Sequence, residues 1–140
     1  MDHDLITHAD LPLTGWTARL HYDGDRPDRL VVGPLGGSPL THSLLAATGS
    51  DRGQSVLGAH HVRLARPFGP SAVGTVTLAY GVLGNAPVEV VLLRHRHWRP
   101  ARVQRVRPVV LADRVWWVEQ AGHYDEVRAT VSGRTTVRLV

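Results

Sequence analysis

The densest concentration of reactive side chains lies between residues 94 and 107, where the chain reads RHRHWRPARVQRVR. Six arginines, Arg94, Arg96, Arg99, Arg102, Arg105 and Arg107, fall within fourteen positions that contain no acidic residue. A guanidinium is a planar fork that binds phosphate or carboxylate through two parallel hydrogen bonds and stacks on aromatic rings. Trp98 adds a ring on which a base or a guanidinium can stack. This run therefore reads as a cationic surface that steers and holds an anionic partner, nucleic acid first, with another polyanion or an acidic protein as the alternatives. A competing account makes the same arginines a solvated rim paired with Asp23, Asp25, Asp28, Asp113 or Glu126.

Nine histidines invite a metal reading. His95 and His97 share one face of an extended strand, about 7 Å apart by strand rise, and a third ligand from His60, His61, His123 or Glu119 would complete a zinc site. The guanidinium groups of Arg94, Arg96 and Arg99 oppose a dication there, so no metal is expected. Asp23, Asp25 and Asp28 sit in a turn and lack the full pattern of a calcium loop. No nucleophile elbow, phosphate-binding glycine loop or His-Glu-x-x-His motif is present, and GPLGGSP lacks the lysine of a P-loop. No cofactor is implied.

Charge and composition bound the remaining classes. All 16 basic residues are arginine, and lysine is absent. Residues 1–70 carry six Arg against seven Asp, whereas residues 71–140 carry ten Arg against five acids, so the C-terminal half is the cationic half. The absence of cysteine removes disulfides, iron–sulfur clusters, thiolate zinc sites and cysteine nucleophiles. The beginning MDHDLITHADLPL lacks a basic flank and a long apolar stretch, and no later run approaches the roughly 20 residues of a membrane span. The expectation is a soluble cytoplasmic protein without a membrane partner.

These residues must be positioned by a mainly β fold. GWTARLHY, DGDRPD and RLVVG read as strand, turn and strand. In GGSPLTHSLLAATGS, Ser38 as cap, Pro39 at the first helical position and Gly49 as stop predict one short helix near residues 39–48, with Leu40, Ser43, Leu44 and Ala47 on its buried stripe. Strands are expected at about 56–65, 72–81, 87–97, 101–111, 114–120, 123–131 and 134–140. After Pro100 the spacing of Val103 and Val106 suggests a bulge or a single helical turn. Ser132 and Gly133 form a two-residue turn, with Val127, Ala129 and Val131 facing inward and Val137 and Leu139 continuing that face. Because neighbours on a strand face opposite sides, Trp116 and Trp117 cannot enter the same core: one is buried in it and the other covers a second layer, a cavity or a partner. The sum is a single domain over 1–140, a small antiparallel β-barrel or sandwich with one short helix.

Residues 98–140 resemble an uncharacterised actinobacterial small β domain that also occurs with error-prone DNA polymerase relatives. Val103, Arg105, Val106, Trp116, Trp117, Tyr124, Val127, Gly133 and Leu139 carry the resemblance, which implies a DNA-associated role. That domain usually has a second tyrosine where this chain has Asp125.

The favoured reading is thus a non-enzymatic binding module acting through Arg94, Arg96, Trp98, Arg99, Arg102, Arg105 and Arg107. A small β-barrel enzyme of cyclase or isomerase type is the first alternative, with Tyr22, Tyr80, His60, Trp116 and Tyr124 lining an enclosed apolar pocket. A structural or assembly subunit forming a homo-oligomer through an apolar edge is the second.

Overall fold

Strand alternation and the position of the apolar residues produce three stacked sheets. The structure, a computed structural model, describes residues 6–44, 56–64, 74–84 and 86–140. Twelve strands follow in order: β1 (Ile6–Asp10), β2 (Trp16–Asp23), β3 (Arg26–Pro34), β4 (Leu40–Ser43), β5 (Val56–Arg63), β6 (Thr75–Val82), β7 (Val88–Arg96), β8 (Arg99–Val106), β9 (Val109–Leu111), β10 (Val115–Ala121), β11 (Glu126–Val131) and β12 (Arg134–Leu139). They pair as β1-β2-β3-β4, β5-β6-β10-β9 and β12-β11-β7-β8, antiparallel throughout. The mainly β expectation holds. Among the described residues no sheet closes into a barrel, and no helix is present that could cross a membrane.

The sheet β5-β6-β10-β9 is the middle layer, because each of its faces feeds a separate core. One core joins Leu20, Leu30 and Val32 of the first sheet to Leu78, Tyr80, Val115 and Trp117. The other joins Ala79, Trp116 and Val118 to Val90, Leu92, Val127 and Ala129 of the third sheet. Trp116 and Trp117 are both buried, at 0 % and 6 % exposure, and they point into opposite cores. Parity thus separates the two indoles as expected, and what the second one covers is another layer of the same chain.

Three local expectations are corrected. The predicted helix over 39–48 does not form: Leu40–Ser43 pairs with β3 from Val32↔Leu40 to Arg29↔Ser43, and residues 45–48 lie outside the described residues. A helix of ten residues has little stability of its own, whereas the open edge of β3 offers ready backbone partners. Leu40 is accordingly exposed, while Leu44 enters the first core. Secondly, Pro100 does not break the ladder, although the bulge expected after it is present. It sits inside β8, an edge strand where a missing N–H is tolerated, and Pro100 and Ala101 together stand against the single residue His95 between the Arg94↔Arg102 and Arg96↔Arg99 pairs. The expected strand at 101–111 instead divides at Arg107 and Pro108, where the chain passes from the third sheet to the middle one.

The third correction concerns β12. Ser132 and Gly133 take positive φ of 49° and 78° and form the expected two-residue turn. That turn pairs odd positions with even ones, so Val127 faces Arg138 and Ala129 faces Thr136. Val137 and Leu139 therefore point away from the core, at 52 % and 74 % exposure, and Arg138 takes the inner side of the edge strand.

Since each tryptophan fills a different core, Trp116→Ala and Trp117→Ala should each destabilise by about 3 to 5 kcal/mol. Chemical denaturation of the two variants checks this, and a near-neutral result for either would contradict the double burial.

Candidate functional site

The arginine run occupies the β7–β8 hairpin. The inner part of β7 is held on both sides, by β11 and by β8, and pairing with β11 ends at Leu93↔Glu126. Beyond that point β7 and β8 form a two-stranded ribbon with no third strand, and residues 94–100 are all exposed. Cross-strand pairing sets Arg94 opposite Arg102 and Arg96 opposite Arg99. Arg94 and Arg96, two apart on β7, share a face, so together with their partners Arg102 and Arg99 they set four arginines on one side of the ribbon. Arg105 lies nearer the sheet, opposite Val91, and Arg107 follows the end of β8. Four of the six arginines are thus gathered at the free end, and two flank its base.

Trp98 forms the tip of this ribbon. Its side chain is fully exposed, and its backbone sits at φ +63°, a left-handed conformation that a bulky residue adopts at a cost of about 1–2 kcal/mol. Glycine would meet that geometry more easily, so the ring is placed in water against both its hydrophobicity and its backbone preference.

None of the six arginines forms an ion pair with a carboxylate among the described residues. The Arg96 guanidinium donates to the Pro100 carbonyl, at 3.1 and 3.3 Å, and so stiffens the turn. The carboxylates nearest in the pairing scheme are engaged at the neck of the ribbon. Asp125 accepts the His95 backbone N–H at 2.9 Å, and Glu126 accepts from Arg128 Nε at 2.6 Å and faces His95 Nε2 at 3.7 Å. Asp28 pairs with Arg29. The solvated-rim account, with the run paired to these acids, is not what the described residues form.

The metal arrangement does not assemble: among the described residues no three histidines or carboxylates converge. His61 donates to the Tyr124 carbonyl at 2.6 Å and stacks on His123 at 3.7 Å, while His123 faces Asp125 at 3.6 Å. Glu119 is occupied with the backbone N–H groups of Leu13 and Thr14, at 3.2 and 2.7 Å, and ties β10 to the turn after β1.

The residues suggested for an enclosed pocket are divided between the cores. Tyr22 and Tyr80 belong to the first, Trp116 and Tyr124 to the second. An apolar cavity beside Leu11, Tyr80 and Trp117 measures about 10 Å³, room for one water molecule at most and far below a substrate pocket.

A second polar cluster joins Tyr80 and His60, which the sequence suggests only as lining of an apolar pocket, to His42, which it does not single out. Tyr80 is buried at 2 % exposure, and its hydroxyl bonds His42 Nε2 at 2.8 Å and His60 Nε2 at 3.0 Å. Trp16 packs on His60 with ring centres 5.7 Å apart. Burial, then the Arg138 charge, lowers the His42 pKa; burial, His42 and Arg138 lower that of His60. Burial pushes the Tyr80 hydroxyl up to about 12. At neutral pH the cluster is two neutral imidazoles around a protonated phenol. Strand parity marks His60 as an inward histidine, but His42 is hidden inside the expected helix.

The chain matches no protein-family model, no curated protein and no solved structure.

The histidine–tyrosine cluster contributes a pH dependence to stability on the acid side. Both histidines have lowered pKa in the folded state, so as pH falls below 6.5 the unfolded chain binds protons that the folded one refuses. Stability should be full above that value and decline from there toward the lowered native values. The double variant His42→Gln/His60→Gln should flatten the decline, as measured by denaturation midpoints between pH 5 and 8. Gly58 lies against the Tyr80 ring, where an added Cβ would stand 2.5 Å from both Cζ and Oη. Gly58→Ala should displace the phenol and destabilise by about 1 to 3 kcal/mol, and an unchanged thermal midpoint would contradict this packing.

Proposed function

We propose that this chain is a binding module that grips nucleic acid, or a polyanion of similar charge density, with the β7–β8 ribbon. The observation that carries the reading is the ribbon itself: exposed arginines without carboxylate partners, on a two-stranded element tipped by a fully exposed Trp98. A two-stranded β-ribbon has the width of the DNA major groove, and four arginines on one face of its free end present their guanidinium groups together to backbone phosphates. Arg94, Arg96, Arg99 and Arg102 contact backbone phosphates from the free end, and Arg105 and Arg107 extend the grip along the edge. Trp98 stacks on a base where the strands are open. Phosphate contacts carry no base information, so recognition is by charge and shape rather than sequence. The cavity beside Leu11, Tyr80 and Trp117, at about 10 Å³, is too small to hold a substrate and lends the enclosed-pocket enzyme no support.

The test is a titration with short single- and double-stranded oligonucleotides at several salt concentrations. Affinity should fall steeply with salt, and Arg99→Ala/Arg102→Ala/Arg105→Ala should reduce the slope of log K against log salt by about 0.9 for each duplex phosphate that is no longer neutralised. Trp98→Gly relieves the backbone constraint while removing the ring. It should weaken single-strand binding by about 1 to 3 kcal/mol per stacked base. No binding at low salt, or binding that the triple substitution leaves unaltered, overturns the proposal.

A further inference from the structure

The second polar cluster stands where edge strands of all three sheets come together. His42 is on β4, the edge of the first sheet; His60 is on β5, the edge of the middle sheet; and Arg138 is on β12, the edge of the third. Strand β12 runs beside β5 without being hydrogen-bonded into its sheet. Arg138 lies on the inner face of β12 because the Ser132–Gly133 turn pairs it with buried Val127, and its exposed side chain reaches the field of both imidazoles.

Hydrogen-bond accounting shows what this cluster lacks. A phenol has one proton to give, so of the two Nε2 atoms bonded to Tyr80, one accepts and the other donates. The imidazole that accepts at Nε2 carries its own proton on Nδ1, pointing away from Tyr80. Neither Nδ1 has a partner among the described residues, and neither is sealed from solvent. Arg138 likewise forms no ion pair with a carboxylate among them. The groups that perturb His42, His60 and Tyr80 are burial, Arg138 and one another, with no acid among them.

We infer that His42, His60 and Arg138, braced by Tyr80 and Trp16, form a binding site for a compact oxyanion, a phosphate or carboxylate group. Such a group supplies both an acceptor for an imidazole N–H and a negative charge for the guanidinium fork. A metal ion is the poorer occupant, since both Nε2 atoms already converge on the Tyr80 oxygen and Arg138 repels a cation. The site is separate from the arginine ribbon, because β12 and β8 are opposite edges of the third sheet. It stands whether or not the ribbon binds nucleic acid.

Proton–carbon NMR of the histidine rings tests this, with inorganic phosphate in one arm and acetate in the other at constant ionic strength. The expected result is a saturable shift of the His42 and His60 resonances with phosphate, or with both anions, accompanied by a rise in both imidazole pKa values. Arg138→Gln, on an exposed edge position, should weaken the response at least tenfold, and Tyr80→Phe should weaken it while Trp16 and His60 stay packed. The ribbon variant Arg99→Ala/Arg102→Ala/Arg105→Ala should leave it intact, and Arg138→Gln should leave oligonucleotide binding intact. No saturable response to either anion, a response unaltered by Arg138→Gln, or one abolished by the ribbon variant overturns the inference.

Discussion

Strand β10 is dry on both faces, and the three-sheet stack exists to keep it so. Val115, Trp116, Trp117 and Val118 are four consecutive buried residues, and consecutive residues on a strand point to opposite sides. A strand of this kind is stable only between two other layers, so the middle sheet requires the first sheet over Trp117 and the third over Trp116. The chain meets the requirement unequally. Strands β1 to β4 form the first sheet as a local meander, whereas the middle and third sheets exchange strands three times, after β6, β8 and β10. Thr77 secures the last of these crossings: its buried hydroxyl donates to Gly122 and accepts the N–H of Tyr124.

The same constraint explains why the arginines stand where they do. Leu92 is the last β7 residue facing the second core, and Leu93 is the last to pair with β11. Past that position the hairpin has no layer to cover either face, and a bare two-stranded ribbon is marginal in water. Both faces must be polar, and the charge that makes the ribbon soluble also makes it a grip for anions. Asp125 serves at this boundary by capturing the His95 backbone N–H. Asp125 and Glu126 thus place their negative charge at the neck of the ribbon, not along it.

The histidine–tyrosine cluster arises from a different consequence of stacking sheets, which is that their edges must end somewhere. Where β4, β5 and β12 meet, the apolar packing gives way to His42, His60 and Tyr80, and the Tyr80 ring fits only because Gly58 has no side chain. The register shift between Val56 and Gly58 turns β5 so that Val56 feeds the second core while Val62 feeds the first. That bulge brings His60 onto the side of Tyr80.

Alternation, turn chemistry and charge density act over a few residues, so the strand content, the Ser132–Gly133 turn, the opposed tryptophans and the arginine run are all legible in the sequence. The helix over 39–48 fails because its cap and stop signals are local, and the competing partner, the open edge of β3, is visible only in three dimensions. The inward face of β12 escapes a reading along the strand because the turn fixes cross-strand pairs, and a pattern within one strand does not contain them. Strand parity turns His60 inward, but nothing in the sequence joins it to His42 and Arg138, which are far apart in the chain and have no shared spacing. Amino-acid order determined which residues could be buried, turned or charged. Only the tertiary structure decided which sheet edges met, because edges are joined by packing between layers, and that packing is set by cores that many distant residues build together.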